Sequence, residues 1–478
     1  MKYFFIFLAT SLVSIAQAQT GYNITVSAKP YKNQQVYLGY HYGKLKALAD
    51  SVKLDANAKG VFKGKTKLPG GIYFLVSPKK EILFEMLIDK QQNFSVVGDS
   101  SNLPSNVVYT GSPDNTLFQS YSKFINTNGA QIGRLTEEMK SPAPGTDTAA
   151  IGNQLRTLSG QIQQYRDDVE KKNPGSILSM IFKSMREPVV PPPAKHPGGK
   201  YDSAFAYQYY KSHYWDGISF ADERLLRTPI FEPRLEKYYK DLVVPEPDSL
   251  KKEIDVMIAK TGNSTEMYKF LLTYFVQKYI NPEYMGQDAV FVHLFEKYIN
   301  NNPKVDWFTA QYQKYMFERA YSLMANLIGQ PAADLNLVDS TGKPMPLSGV
   351  NAPYTVICFW DATCSHCKEV VPKVDSIFQA KWKKEGVKVY GVMVDGGKPA
   401  WTQFIKENGL KDWIHVYESQ EQKDAVAASG KAGYKQLYDV YQTPVLYLLD
   451  KEKRIIAKKL TYLQIDQLID ARKKTASN

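Results

Sequence analysis

Cysteine is scarce in this chain. Among 478 residues there are three, Cys358, Cys364 and Cys367, all in one short stretch. An exported protein held together by disulfides spreads its cysteines along the chain. The clustering excludes such a scaffold and gives the sulfur a chemical purpose. The six histidines are scattered and lack the spacing of a metal site, so neither a metal nor another cofactor is expected. The formal charge is +12, yet no tight Lys/Arg block occurs. Dispersed basic residues make solvated faces rather than a nucleic-acid surface. Beyond the amino terminus, no run approaches the ~20 apolar residues needed to cross a bilayer.

The amino terminus has the marks of export. Met1-Lys2 is a short basic start, Tyr3 to Ala16 is mostly apolar, and Ala16-Gln17-Ala18 fits the small-x-small cleavage rule. Residues 1–18 read as a signal peptide, with Gln19 as the new terminus. No cysteine stands at that point to take a lipid. The expectation is a mature protein that is soluble in the periplasm or otherwise outside the cytoplasm.

A chain of this length predicts about three domains at ~150 residues each. Residues 19–110 read as a small β-sandwich or open barrel. Short β-rich runs fall at Ile24–Val26, Val36–Tyr42, Val61–Lys67, Ile72–Val76, Ile82–Ile88 and Phe94–Val97. Turn signals at Lys32-Asn33, Asn57-Ala58-Lys59-Gly60 and Pro69-Gly70-Gly71 separate some of them. Residues 111–325 read as mostly helical. Leu271, Phe275 and Tyr279 recur every four positions, and Phe291, Leu294, Phe295 and Tyr298 follow a helical stripe. The proline-rich stretch 188–199 cannot continue a helix. The aromatic run His213-Tyr214-Trp215-Asp216 reads as a packed corner. Residues 326–478 alternate strand and helix, which predicts an α/β domain with helices on both faces of a central sheet.

Within that last region, Tyr354 to Trp360 is a buried-type strand and Lys368 to Lys384 can be helical. Cys364 and Cys367 lie between them, two residues apart. The first thiol is thereby expected at a helix amino terminus, where free N–H groups and the helix dipole favour an anion. Such a cysteine can have its pKa lowered from about 8.5 to roughly 3.5–7.5. The second thiol is spaced to resolve a mixed disulfide. This constellation points to thiol–disulfide exchange, with Cys364 as nucleophile and Cys367 as resolving thiol.

The carboxyl third resembles the exported TlpA-like branch of the thioredoxin fold. The resemblance rests on Phe359-Trp360, Cys364-Ser365-His366-Cys367, Pro372, Thr443-Pro444 and the stretch from Gly329 to Leu347, which is similar to that branch's first hairpin. The amino-terminal β-region and the helical region are similar to domains of unknown function attached to such thioredoxins in Bacteroidota. The resemblance implies a cis Thr443–Pro444 peptide facing the cysteines, with Thr443, Pro444 and Trp360 toward substrate. His366, between the cysteines, is the expected tuning residue, since a cationic imidazole would stabilise the thiolate. Three positions depart from the family pattern. Cys358 stands where many thioredoxins keep a buried aspartate, Val370 where many relatives carry an acid, and Thr363 where a tryptophan is customary. Cys358 reads as an inert small hydrophobe.

The implied partners are protein dithiols or disulfides and a redox partner, with a homo-oligomer compatible with the front domains. Reduction of substrates is favoured over oxidation. A thiol peroxidase is one alternative, because peroxiredoxins share this fold. Their Pro-x-x-x-Thr-x-x-Cys run is missing, with Ile357 and Asp361 at the Pro and Thr places. A redox-linked binding or scaffold protein is the other alternative.

Overall fold

The computed structural model describes residues 21–98, 103 and 106–476. The expected signal peptide, residues 1–18, lies outside the described residues. The chain divides into two units. The first runs to Val243 and takes in Lys260–Tyr268; the second holds Val244–Ala259 and continues from Lys269.

In the first unit, period-two patterning makes strands with one buried face. Ile24 and Val26 point inward from β1 (Tyr22–Ser27), as Val36 and Leu38 do from β2 (Gln35–Tyr42). Then follow β3 (Leu45–Lys53), β4 (Lys59–Gly64), β5 (Gly71–Val76), β6 (Ile82–Ile88), β7 (Asn93–Val97) and β8 (Val108–Thr110). Two four-stranded sheets result, ordered β4-β1-β7-β8 and β3-β2-β5-β6. Phe62, Tyr73, Leu75, Phe84 and Met86 join the inward residues of β1 and β2 in one core, as a sandwich requires. β3 and β8 were not foreseen. β3 is an edge strand with exposed Leu45 and Leu48, so its alternation carries no clear apolar face. β8 is only three residues long. Lys59 and Gly60, expected in a turn, instead open β4.

Helices α1 (Pro113–Lys140), α2 (Thr148–Lys172), α3 (Ile177–Met185), α4 (Ser203–His213) and α5 (Phe231–Asp241) complete this unit. Between α3 and α4 the proline-rich stretch forms only two short helical turns, Pro193–Lys195 and Pro197–Gly199. Tyr214 and Trp215 are buried against Phe220 and Tyr238, a packed aromatic corner.

The second unit opens with α6 (Pro247–Ala259), followed by α7 (Thr265–Tyr279), which begins in the first unit, then α8 (Asp288–Leu294) and α9 (Ala310–Met324). The periodic residues Leu271, Phe275, Tyr279, Phe291, Leu294 and Phe295 are all buried. Next comes a five-stranded sheet, β11-β10-β9-β12-β13, from β9 (Thr355–Trp360), β10 (Lys388–Met393), β11 (Ile414–Tyr417), β12 (Val445–Leu449) and β13 (Ile455–Lys458). β9, β10 and β11 run parallel, while β12 is antiparallel to β9 and to β13.

One face of this sheet packs against α10 (Ser365–Ile377), α11 (Lys398–Glu407) and α14 (Tyr462–Ala476) through Val371, Val374, Trp401, Phe404, Ile465 and Ile469. The other face is covered by Leu335, Leu337, Leu347 and Val350, and by Tyr434 of α13 (Tyr434–Leu437). The stretch 329–347 folds back on itself through Met345 N–H to Leu337 O (2.8 Å) and Leu347 N–H to Leu335 O (3.2 Å). α12 (Gln420–Ser429) was not foreseen; it buries no residue and so has no apolar stripe to read. No helix among the described residues is long and apolar enough to cross a membrane.

Inside this unit the helices are tied to the sheet by buried charge. Lys458, at the end of β13, reaches Asp288 of α8 and the backbone oxygen of Asn326 (2.8 Å); Lys458 and Asp288 are each 5% exposed. Burial pushes the Lys458 ammonium pKa down, against the pull of Asp288. Removing one member of such a pair strands the other charge. Lys458→Met is expected to cost about 3–5 kcal/mol in denaturant unfolding, and the double change Lys458→Met/Asp288→Leu to recover part of it. A single change without measurable cost would contradict this role.

Candidate active site

The site begins with β9. All six of its side chains are buried, as suits the middle strand of a sheet covered on both faces. Beyond Trp360 the chain must turn. The Asp361 carboxylate accepts from the Thr363 N–H (2.7 Å) and hydroxyl (2.8 Å), closing an Asx turn. Gly396 passes close by at φ +91°, and a Cβ there would lie 2.3 Å from Asp361 Oδ1, so this approach requires glycine. The Cys364 N–H returns to Asp361 O (3.3 Å), and Cys364 O accepts the first helical bond from the Lys368 N–H (3.1 Å). Cys364 is therefore the N-cap of α10, with extended φ −72° and ψ 124°.

The two sulfurs sit in opposite environments. Cys364 is half-buried, and its thiol pKa is lowered from the ordinary value. The Cys367 backbone N–H supplies the largest pull, helped by the Thr443 side chain, the Cys367 thiol and the His366 backbone N–H, while burial opposes them. Cys367 is fully buried, and burial pushes its thiol up to about 11. The Asp361 N–H faces the Cys367 sulfur at 3.5 Å and offsets part of that. All three cysteines are free thiols. Cys358 is fully buried within β9, and burial drives its pKa far above the ordinary value, so it stays an unreactive thiol.

The structure brings Thr443 and Pro444 to this sulfur from nearly eighty residues away. Thr443 O lies 3.6 Å from Cys364 Sγ, and the Thr443–Pro444 peptide is cis. The His366 side chain is exposed and lines, with Val370 and Pro444, a cavity of about 670 Å³. The pull of this residue on Cys364 comes through its backbone N–H. Glu369 is exposed to solvent. Trp360 needs a correction. It was expected toward substrate but is fully buried, its ring 5.2 Å from Phe404 in the core beneath the motif. It supports the turn and is out of reach of a ligand. Asp361 and Gly396 were missed, since a short polar side chain in a loop and a glycine in a Gly-Gly pair carry no mark of a sulfur site.

The thiolate is the species that reacts with alkylating agents, so a lowered pKa means faster alkylation at neutral pH. Cys364 is expected to be half-maximally alkylated at a lower pH than an ordinary cysteine thiol, and Cys367 only near its value of about 11. Equal midpoints would contradict the asymmetry. His366→Pro deletes one N–H that faces Cys364 and is expected to raise its midpoint. His366→Ala keeps that N–H and is expected to shift it less; the reverse order would give the tuning to the imidazole.

Parts of the chain are similar to known proteins. Residues 328–458 match the AhpC/TSA family. Residues 22–118 and 162–324 match two domains of unknown function, DUF4369 and DUF5106. The chain is similar to the thiol-disulfide oxidoreductase ResA of Bacillus subtilis, 25% identical over 128 residues, which is 27% of this chain and 64% of that protein. It thus spans under two thirds of that relative's length. Among solved structures, it is similar to a domain of a possible thiol-disulfide isomerase from Cytophaga hutchinsonii, with 33% identity, 32% of this chain and 96% of the other covered, and a TM-score of 0.28. It is also similar to a thioredoxin-like protein from Bacteroides caccae, with 20% identity, 60% and 99% coverage, and a TM-score of 0.44. With a sulfur pair at the start of α10 and the fold around it, residues 328–458 form a thioredoxin-like domain of the AhpC/TSA family, homologous to the TlpA-like thiol-disulfide oxidoreductases.

Proposed function

We propose that the protein carries out thiol–disulfide exchange on exported protein substrates, in the reducing direction. The observation that carries this reading is the asymmetry of the pair. Cys364 is accessible and favoured as an anion, while Cys367 is buried and held as a thiol one helical turn away.

The Cys364 thiolate attacks one sulfur of a substrate disulfide. A Cys364–substrate S–S bond forms, the substrate bond breaks, and the leaving sulfur takes up a proton. Cys367 then gives up its proton and attacks Cys364 Sγ. The Cys364–Cys367 bond forms and the second substrate sulfur leaves with a proton. Two electrons and two protons have passed to the substrate. A dithiol partner restores the pair by the same steps in reverse. Thr443 and Pro444 stand beside Cys364, where a substrate strand would lie, and His366 borders the same opening.

Direction follows from how strongly the reduced pair is stabilised. A strong oxidant stabilises its thiolate. Here only one sulfur gains such help, and burial works against the other. The reading also includes removal of residues 1–18, a periplasmic or otherwise exported location, and domains over 19–110, 111–325 and 326–478.

Insulin reduction tests the reading. The dithiothreitol-reduced wild type is expected to precipitate insulin B chains, Cys364→Ala to lose this activity, and Cys367→Ala to accumulate mixed disulfides. Equal activity in wild type and Cys364→Ala would reject exchange and leave a binding or scaffold role. Rapid stoichiometric consumption of peroxide without insulin reduction would point to a thiol peroxidase.

A further inference from the structure

The cavity beside His366 and Pro444 has walls from two parts of the chain. Pro444, with His366 and Val370 of α10, forms one wall; Asn281 and the α9 residues Tyr315, Glu318 and Arg319 form the other. Both walls belong to the second unit. Its volume of about 670 Å³ falls within the range of ligand pockets.

The α9 wall is held firmly. Arg319 forms an ion pair with Asp439, whose side chain is 1% exposed, and its Nε donates to Ile280 O (3.1 Å). Lys459 forms an ion pair with the same Asp439. Ser322 donates to Gln436 O, and Asn326 Nδ2 to Leu437 O (2.9 Å). Arg319 and Lys459 thus share Asp439, while Glu318 faces Lys314 outside the cavity (3.8 Å). Arg319 and Lys459 are cationic, Asp439 and Glu318 anionic, and the two signs balance.

What the cavity offers a ligand is aromatic and aliphatic surface. Tyr315 is 40% exposed and Tyr441 73% exposed, and both line the space with Tyr462, Leu460 and Val370. Tyr315 is oriented by Asn281, whose Nδ2 donates to its hydroxyl (3.0 Å). Exposed rings with a polar tip are suited to gripping an apolar side chain at low entropy cost.

We propose that α9 is a specificity wall for the exchange reaction. The cavity takes a large uncharged side chain, aromatic or aliphatic, from an extended polypeptide next to its half-cystine. This rests on the exchange reading of Cys364 and names its substrate class. A polypeptide is the occupant because the cavity lies against Pro444, whose neighbour Thr443 touches the reacting sulfur. A chain whose cystine reaches Cys364 at Thr443 must lay an adjoining residue over this opening. A small disulfide would leave it empty.

The test compares two disulfide-linked peptides, identical except for Phe or Asp beside the cysteine, with bis(2-hydroxyethyl) disulfide as a small substrate. The full chain is used throughout. Wild type is expected to favour the Phe peptide by about tenfold in kcat/KM. In Tyr315→Ala this ratio is expected to fall toward one. Both peptides meet the same folded fraction, so partial unfolding leaves the ratio unaltered. Tyr284→Ala, an exposed tyrosine outside the cavity, is expected to keep the wild-type ratio. Equal rates on both peptides in wild type, or a ratio unmoved by Tyr315→Ala, would overturn the proposal even though the small disulfide is reduced. Failure to reduce the small disulfide as well would reject the exchange reading itself, and the wall with it.

Discussion

Everything at this site depends on the unpaired N–H groups at the first turn of α10. A helix leaves its first N–H groups without intrahelical acceptors. In many helices a serine or aspartate oxygen answers them. Here the N-cap is Cys364, and the N–H groups of His366 and Cys367 pull on its sulfur. A sulfur anion satisfies them better than a neutral thiol does. On the proposed exchange reading, the cap that helps start the helix is also the nucleophile. The strand before it sets the position. β9 is buried on both faces and ends at Trp360, so the turn has nowhere to go but the carboxyl edge of the sheet.

The same helix turns Cys367 inward. Three residues on, its side chain lies against the core, fully buried, and its proton is held more tightly than in water. Cys364 at the N-cap stays accessible and more acidic, Cys367 in the first turn packs into the core and is weakly acidic, and the spacing of three keeps the two sulfurs within reach of each other. A pair of equal thiols would lack an order of events. On the proposed reading this one has a nucleophile and a resolver, told apart by burial.

Much of this was legible in the sequence. The cysteine pair, the apolar run before it and the Thr-Pro far downstream placed the fold and the sulfurs. The helical stripes Leu271-Phe275-Tyr279 and Phe291-Leu294-Phe295 marked helices because these residues are buried in the folded chain. What stayed hidden has physical causes. β3 and α12 expose most of their side chains, so burial left no periodic trace in them. Trp360 was read as ligand-facing from the family resemblance, but a strand inside a sheet covered on both faces has no solvent side. The role of His366 was sought in its ring, whereas the pull on Cys364 runs through its main chain, which any residue but proline would supply.

The largest feature invisible in sequence is the attachment of α9 to the sheet, because its partners are more than a hundred residues apart. Asp439 adopts φ 51° and is almost wholly buried, with Arg319 and Lys459 both satisfying it. Lys458 is held in the same way by Asp288 and Asn326. An apolar contact of similar area tolerates sliding, since hydrophobic burial is not directional. Buried ionic groups do not, because a small displacement leaves a charge without its partner at a cost of several kcal/mol. The charged set therefore contributes registry more than net stability. It fixes the tyrosine-bearing face of α9 beside Pro444 at one height and one rotation. A wall that could slide would offer a substrate many shapes and select none. Held by ions, it presents a single cavity to the polypeptide disulfide proposed above as substrate.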